Sequence, residues 1–238
     1  MTNEFELSEQ FLAAFNAIEQ KLKDILKAEY HMSFLEMLRK TSKTEGVVKR
    51  YSIDLREFAE LRNAITHSKR DDFVIAEPHA KVVEEIRRIK DMLYTPPLVL
   101  SLPLSRPYIA TPEILLSEVL ATFEKRNFMR CPVIIQGKVK ALISAKTITH
   151  FLAKNSLHPL QLSDVRVSEL LMFTSESDFE IVGMNNSLFE AYDVFKRHLR
   201  SGKTLQAAIV TDNGQANGRI TGIITPSDLP RIFEILGP

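Results

Sequence analysis

Within Arg62-Asn63-Ala64-Ile65-Thr66-His67 the chain sets a permanent cation, an amide and a titratable imidazole close together. An imidazole exchanges a proton near neutral pH and a guanidinium offsets charge on a phosphoryl oxygen, so the group is equipped for phosphate chemistry. The same residues have a structural use, because cationic side chains in a helix's last turn cap its carbonyls and oppose its dipole. A second chemical cluster is Thr225-Pro226-Ser227-Asp228. It follows an apolar run and opens a helix, whose first free N–H groups favour an anion, and an ionised Asp228 is a pure acceptor. It too has a structural reading, as an N-cap with proline at the first helical position and a carboxylate at the third.

The first cluster needs a helix to carry it. Leu55, Phe58, Leu61 and Ile65 recur at helical spacing from a start near Ser52 or Asp54. Arg62, Asn63, Thr66 and His67 then fill an adjoining polar sector in which the four can converge. Upstream, Phe11, Leu12, Phe15, Ile18, Leu22, Ile25 and Leu26 form one stripe on a helix for which Ser8 is the expected N-cap. A shorter apolar cluster holds Met32, Phe34, Leu35, Met37 and Leu38. Glu77-Pro78 is expected to open a last helix with Val82, Val83, Ile86, Ile89 and Leu93 inside, and Thr95-Pro96-Pro97 to stop it. Residues 1–95 are therefore expected as an all-helical antiparallel bundle without strands, with His31 and His79 as surface or capping residues. The proline-broken apolar stretch 96–104 reads as a linker.

The second cluster belongs to a different pattern. From Leu98 onward short β-branched runs alternate with helices: Cys131–Ile135, Ala141–Ile143, Ala208–Val210 and Ile220–Ile224. Gln136-Gly137 and Asn213-Gly214 separate consecutive runs, so each pair reads as a hairpin. The half is also an internal repeat. Leu116–Phe123 matches Leu188–Phe195, Val133-Ile134-Ile135 matches Ile209-Val210-Thr211, and Ala141–Ile148 matches Gly222–Leu229.

This repeat resembles the CBS domain, which occurs as tandem pairs with a cleft that commonly binds adenine nucleotides. The likeness spans about 105–236, and its most specific piece is Gly222-Ile223-Ile224-Thr225-Pro226-Ser227-Asp228. The resemblance implies an α + α/β chain: the helical bundle over 1–95, the linker over 96–104, and a pair of β-α-β-β-α repeats over 105–238. The repeats are expected at about 105–155 and 165–236. The resemblance also implies that Thr225 and Asp228 hold the ribose and phosphate region. Met129-Arg130-Cys131-Pro132 and Leu205-Gln206-Ala207-Ala208 fall where family members line the adenine pocket. In repeat one Ala141 replaces the glycine and Thr147 the aspartate, leaving Ser144 and Thr147 at the ribose positions and favouring one site over two. Lys138, Lys140, Lys146 and Arg130 are candidate phosphate contacts there. The expected ligand residues are thus Thr225, Asp228, Gln206, Ala207, Ser144 and Arg130, for a regulatory adenine nucleotide such as AMP, ADP or ATP, with no required cofactor.

Arg62-Asn63-Ala64-Ile65-Thr66-His67 in turn resembles the RNxxxH motif of HEPN domains, small helical bundles of which many are metal-independent ribonucleases. The likeness covers about residues 8–95. It implies His67 as general acid or base at an RNA 2′-hydroxyl, Arg62 as the stabiliser of phosphoryl charge, and Asn63 as the orienting group. It further implies a homodimer, single-stranded RNA as a candidate substrate and a cyclic 2′,3′-phosphate product. Lys69 stands where HEPN toxins modified by nucleotidyltransferases carry a tyrosine, so no such partner is inferred.

Composition bounds the remaining classes. The 238 residues favour two domains, and 45% apolar with 26% charged residues is the balance of a folded globular protein. A net charge of +1 supplies no protein-wide field for a polyanion, and the single cysteine, Cys131, forms no internal disulfide and reads as packing. The acidic Met1–Glu6 start lacks signal-peptide features, and no apolar stretch is long enough to span a bilayer, so a cytoplasmic protein is expected. No HExxH pair, phosphate-binding glycine loop or GxSxG elbow is present, and no metal site is expected.

Overall fold

The structure is a computed structural model describing residues 4–27, 32–67, 69–70, 73–74, 76–157 and 161–237, and of residues 4, 5, 67, 69, 70, 73 and 74 the backbone alone. The chain folds as two compact units, Met1–Pro96 and Pro97–Pro238.

The first unit contains α1 (Glu4–Leu26), α2 (Phe34–Thr41), α3 (Gly46–Arg50), α4 (Ser52–His67) and α5 (Ala80–Tyr94). Periodicity explains its core: Phe11, Phe15, Ile18 and Leu22 of α1 are buried with Leu55, Phe58 and Ile65 of α4 and Val83, Ile86, Ile89 and Leu93 of α5. Each such side chain contributes roughly 1.5–3 kcal/mol through burial. Tyr94 ties α5 to α1 by donating its hydroxyl hydrogen to the Ala17 carbonyl at 3.1 Å.

The unit departs from sequence expectation at several places. Helix α1 starts at Glu4, so Ser8 is a buried interior residue and not its N-cap. The last helix begins at Ala80, because His79 takes the cap: its Nδ1 accepts the Lys81 N–H at 3.3 Å. Pro78, buried just before that cap, packs the entry and is not in the first turn. A two-strand hairpin of β1 (Lys69–Arg70) and β2 (Phe73–Val74) follows α4, so the unit is not all-helical. His31 lies outside the described residues.

The second unit contains α6 (Leu116–Arg126), β3 (Arg130–Ile135), β4 (Lys138–Ser144), α7 (Ala145–Lys154) and α8 (Val167–Leu170). Then come β5 (Phe179–Gly183), α9 (Leu188–Arg200), β6 (Ala207–Thr211), β7 (Ile220–Ile224) and α10 (Leu229–Leu236). Strands β3 and β4 pair antiparallel, while β5-β6-β7 form a sheet with β5 parallel and β7 antiparallel to β6. Repeat one has only a bridge, Ala110 to Val133, where repeat two has strand β5. The β3–β4 turn is tight, with Gln136 at φ 50° and Gly137 at φ 74°. The β6–β7 pair is closed instead by the longer loop 212–219, in which the Asp212 carboxylate accepts the Arg219 N–H at 2.9 Å.

The two repeats share details finer than their sequence match. Each hairpin slips register at the same place, between Val133 and Ile134 and between Val210 and Thr211. The extra residue puts Val139 with Leu142, and Ile220 with Ile223, into one core between the sheets. Each repeat also lends its lead-in segment to the other. Leu116 and Val167 donate their N–H groups to Val165 and Ile114 at 2.8 Å. In the mirrored positions Leu188 donates to Pro97 at 2.7 Å and Val99 to Asn186 at 2.9 Å.

This exchange corrects two boundaries. The segment after Pro96, expected as a linker, is packed: Val99 is fully buried and Leu102 nearly so. Val165, Val167 and Leu170, expected to head repeat two, complete the core of repeat one. Gly222 serves the same exchange, since a Cβ there would stand 2.7 Å from the Cβ of Leu104.

Candidate functional site

Helix α6 ends on Asn127, whose left-handed backbone (φ 53°, ψ 40°) lets its N–H reach back to Glu124 and Phe123. The reversal sends Phe128, Met129 and Arg130 along one wall of a cavity of ≈ 470 Å³. Pro103, Ser105 and Pro107 of the lead-in make a second wall, and Ile223, Thr225, Ser227 and Asp228 of repeat two make the third.

The third wall is internally fixed. Asp228 Oδ2 accepts both the N–H of Thr225 at 2.7 Å and its hydroxyl hydrogen at 2.9 Å, which holds the start of the closing helix. Both bonds use one carboxylate oxygen, so Oδ1 keeps its acceptor capacity. Across the cavity the Arg130 Nε is buried without a hydrogen-bond partner. Burial lowers the pKa of this guanidinium, and the negative charge of Asp228 pulls it part of the way back. The cavity therefore sets a guanidinium and a carboxylate on its lining, with Phe128, Met129 and two prolines as apolar walls.

The pseudo-equivalent position joins Lys146, Asp178 and Gln206, with Ser144 and Thr147 at the start of α7. Here Ser144 and Thr147 are both almost fully buried and their hydroxyls lie 3.1 Å apart. The Thr147 N–H donates to Ser144 Oγ at 3.3 Å, so this pair caps α7. Lys146 donates to Asp178 Oδ1 at 3.0 Å, and the Ser175 N–H to Asp178 Oδ2, also at 3.0 Å. Gln206 gives its N–H to the Asp178 carbonyl at 2.8 Å.

The six expected ligand residues are thus not brought together. Arg130, Thr225 and Asp228 share the open cavity, whereas Ser144 and Gln206 stand at the pseudo-equivalent position. Ala207 is fully buried in the core between the sheets. Sequence reasoning missed the lead-in prolines, Arg126 and Asp178. Asn127 signals the reversal, and Ser175-x-x-Asp178 carries the spacing of a helix cap.

In the helical unit Arg62 lies with its guanidinium carbon 5.9 Å from the centre of the Phe15 ring and donates to Asn63 Oδ1 at 3.1 Å. Thr66 does not join them, because its hydroxyl donates back to the Arg62 carbonyl at 2.8 Å. His67 is the last residue of α4, and its side chain, like that of Lys69, lies outside the described residues. Among the described residues no helix is long and apolar enough to cross a membrane.

No protein-family model and no curated protein matches the chain. Its structural neighbours include CBS domain pairs, over about 60% of the chain. One is the CBS domain pair of protein MJ0100 in complex with 5′-methylthioadenosine and S-adenosyl-L-methionine, at 19% identity over 60% of this chain and 99% of that one, TM-score 0.44. Another is the CBS domain of a membrane protein from Sphaerobacter thermophilus, at 16% identity over 64% and 98%, TM-score 0.45. A third, a putative signal-transduction protein with CBS domains from Burkholderia ambifaria, is 12% identical over 56% and 88%, TM-score 0.41.

Proposed function

We propose that the second unit is a CBS-type pair that binds one adenine nucleotide in the cavity lined by Arg130, Thr225 and Asp228. The observation that carries this reading is the Arg130 guanidinium, which makes no ion pair with Asp228, lining one cavity with that carboxylate between apolar walls. A phosphate supplies the acceptors this guanidinium lacks, ribose hydroxyls donate to Asp228, and Phe128 and Met129 offer a face for the purine. The cavity volume of ≈ 470 Å³ suits a mononucleotide, since ligand sites run from roughly 300 to 1,000 Å³.

The finer part of the reading gives the helical unit an output. Ligand binding biases a homodimer of HEPN-like units, and Arg62, Asn63 and His67 cut single-stranded RNA without a metal. The Arg62–Asn63 hydrogen bond supports a preset motif. Regulation requires only that the nucleotide bind two arrangements with different affinity. The rival reading is a non-catalytic sensor in which the helical unit dimerises or recruits a partner.

Calorimetry with AMP, ADP and ATP tests the cleft: one site is expected in the wild type, and unchanged affinity in Asp228→Ala defeats the ribose assignment. Incubation with single-stranded RNA, EDTA and each nucleotide tests the output. RNA left equally intact by wild type and His67→Ala under all conditions removes the nuclease and leaves the sensor.

A further inference from the structure

The repeat match fixes which residues of the two clefts correspond. Ala110 pairs parallel with Val133 as Ile181 pairs with Ile209, so Pro107 and Asp178, each three residues earlier, occupy one position. The alignment of Thr225 with Ser144 likewise places Ser227 opposite Lys146 and Asp228 opposite Thr147. Arg130 corresponds to Gln206. Each set thus holds one of these cations and one of these carboxylates, at four different positions. In the open cavity Arg130 and Asp228 make no direct ion pair, and the Arg130 Nε stays unpartnered. In the other cleft the positions held by Pro107 and Ser227 carry Asp178 and Lys146, whose charged atoms meet at 3.0 Å.

We infer that Asp178 is a built-in occupant of the second cleft: its carboxylate takes the place of a ligand phosphate on Lys146, so that the chain binds one nucleotide and not two. The inference deepens the nucleotide-binding reading and rests on it for the class of ligand. Both oxygens of Asp178 are engaged, one by Lys146 and one by the Ser175 N–H, and its side chain is 4% exposed. The Gln206 N–H holds its backbone in place. A tethered carboxylate competes at an effective concentration of about millimolar or higher, which a free nucleotide at lower concentration does not displace. Ser144 and Thr147, bonded to one another and buried, leave the cleft self-contained.

Calorimetry of the full chain with ATP tests the inference. One site is expected in the wild type, two in Asp178→Asn, whose amide oxygen still accepts the Ser175 N–H, and one again in Asp178→Asn with Lys146→Met. Two sites in the wild type overturn it, as does a single site in Asp178→Asn with a native melting profile. No binding by the wild type with one site gained in Asp178→Asn defeats the reading of the first cavity and leaves the inference about Asp178 standing. If Asp178→Asn does not fold, acetylation of Lys146 in the wild type decides: a rate unchanged by saturating ATP is expected, and protection by ATP overturns the inference.

Discussion

The two pseudo-equivalent places of the second unit share a hairpin, a register slip, a capped helix and an exchanged lead-in, yet they hold their charges differently. In one, Arg130 and Asp228 stand apart on separate walls; in the other, Lys146 and Asp178 are joined. Arg126 adds a second cation to the open cavity, and position decides that Lys146, not Arg130, is spent on a carboxylate inside the protein. A half-buried guanidinium without acceptors is costly in the free protein, because an unsatisfied buried donor is worth roughly 1–3 kcal/mol.

The strongest way to break the comparison is to exchange its outcomes. Arg130→Ala is expected to weaken nucleotide binding about 10- to 100-fold, the value of charge-assisted hydrogen bonds of roughly 1.5–3 kcal/mol. Gln206→Ala, at the matching position, is expected to change affinity by less than about twofold, since its N–H bond to Asp178 uses the backbone. The ligand-free melting temperature of Arg130→Ala should not fall, because the deleted Nε had no partner. Equal losses of affinity in the two variants would put the ligand outside the open cavity.

A second test concerns the scaffold. Gly222→Ala pushes a Cβ to within 2.7 Å of Leu104 Cβ, and the crowding should cost about 1–3 kcal/mol, read as a lower denaturant midpoint at unchanged slope. The reciprocal change, Ala141→Gly in repeat one, removes a buried methyl and frees the unfolded backbone, for a loss of about 1 kcal/mol. A larger effect at Ala141 than at Gly222 would show that the lead-in does not press on repeat two.

These positions also mark where sequence was readable. The buried stripes of α1, α4 and α5 follow from apolar spacing because each face packs locally. The match of Ala141–Ile148 to Gly222–Leu229 revealed the repeat because strand and helix-cap chemistry constrain side chains. The lead-in exchange was hidden: the bonds of Val99 to Asn186 and Val167 to Ile114 join backbone groups, which any residue carries. Pro96-Pro97 accordingly looked like the start of a linker, though the prolines only end α5 and Val99 is buried immediately after. Helix α3 was missed because five residues are too few for a period. Of the site, Thr225-Pro226-Ser227-Asp228 was legible as a local motif, whereas the Lys146–Asp178 pair joins distant segments whose charges read singly as surface.

The mildest substitution sharpens the comparison inside the core. Cys131 and Ala207 stand at matching places at the start of β3 and β6, and both are fully buried. Burial pushes the Cys131 thiol up from 9.0 to about 12, so its neutral form is the one the fold accepts. The stability this represents is complete below the unfolded value near pH 9 and is lost as pH rises toward 12, because the unfolded thiol ionises first. The expected slope is up to about 1.4 kcal/mol per pH unit in that window. Cys131→Ala, which installs the residue of repeat two, should cost less than about 1.5 kcal/mol at pH 7 and remove that part of the alkaline loss. Tyr108 is raised chiefly by its partial burial and further by the charges of Glu118 and Cys131, so the part owed to Cys131 belongs to the measured difference. Urea titrations of both from pH 7 upward measure that difference, and parallel curves through pH 11 would mean that the thiol is not held in the interior.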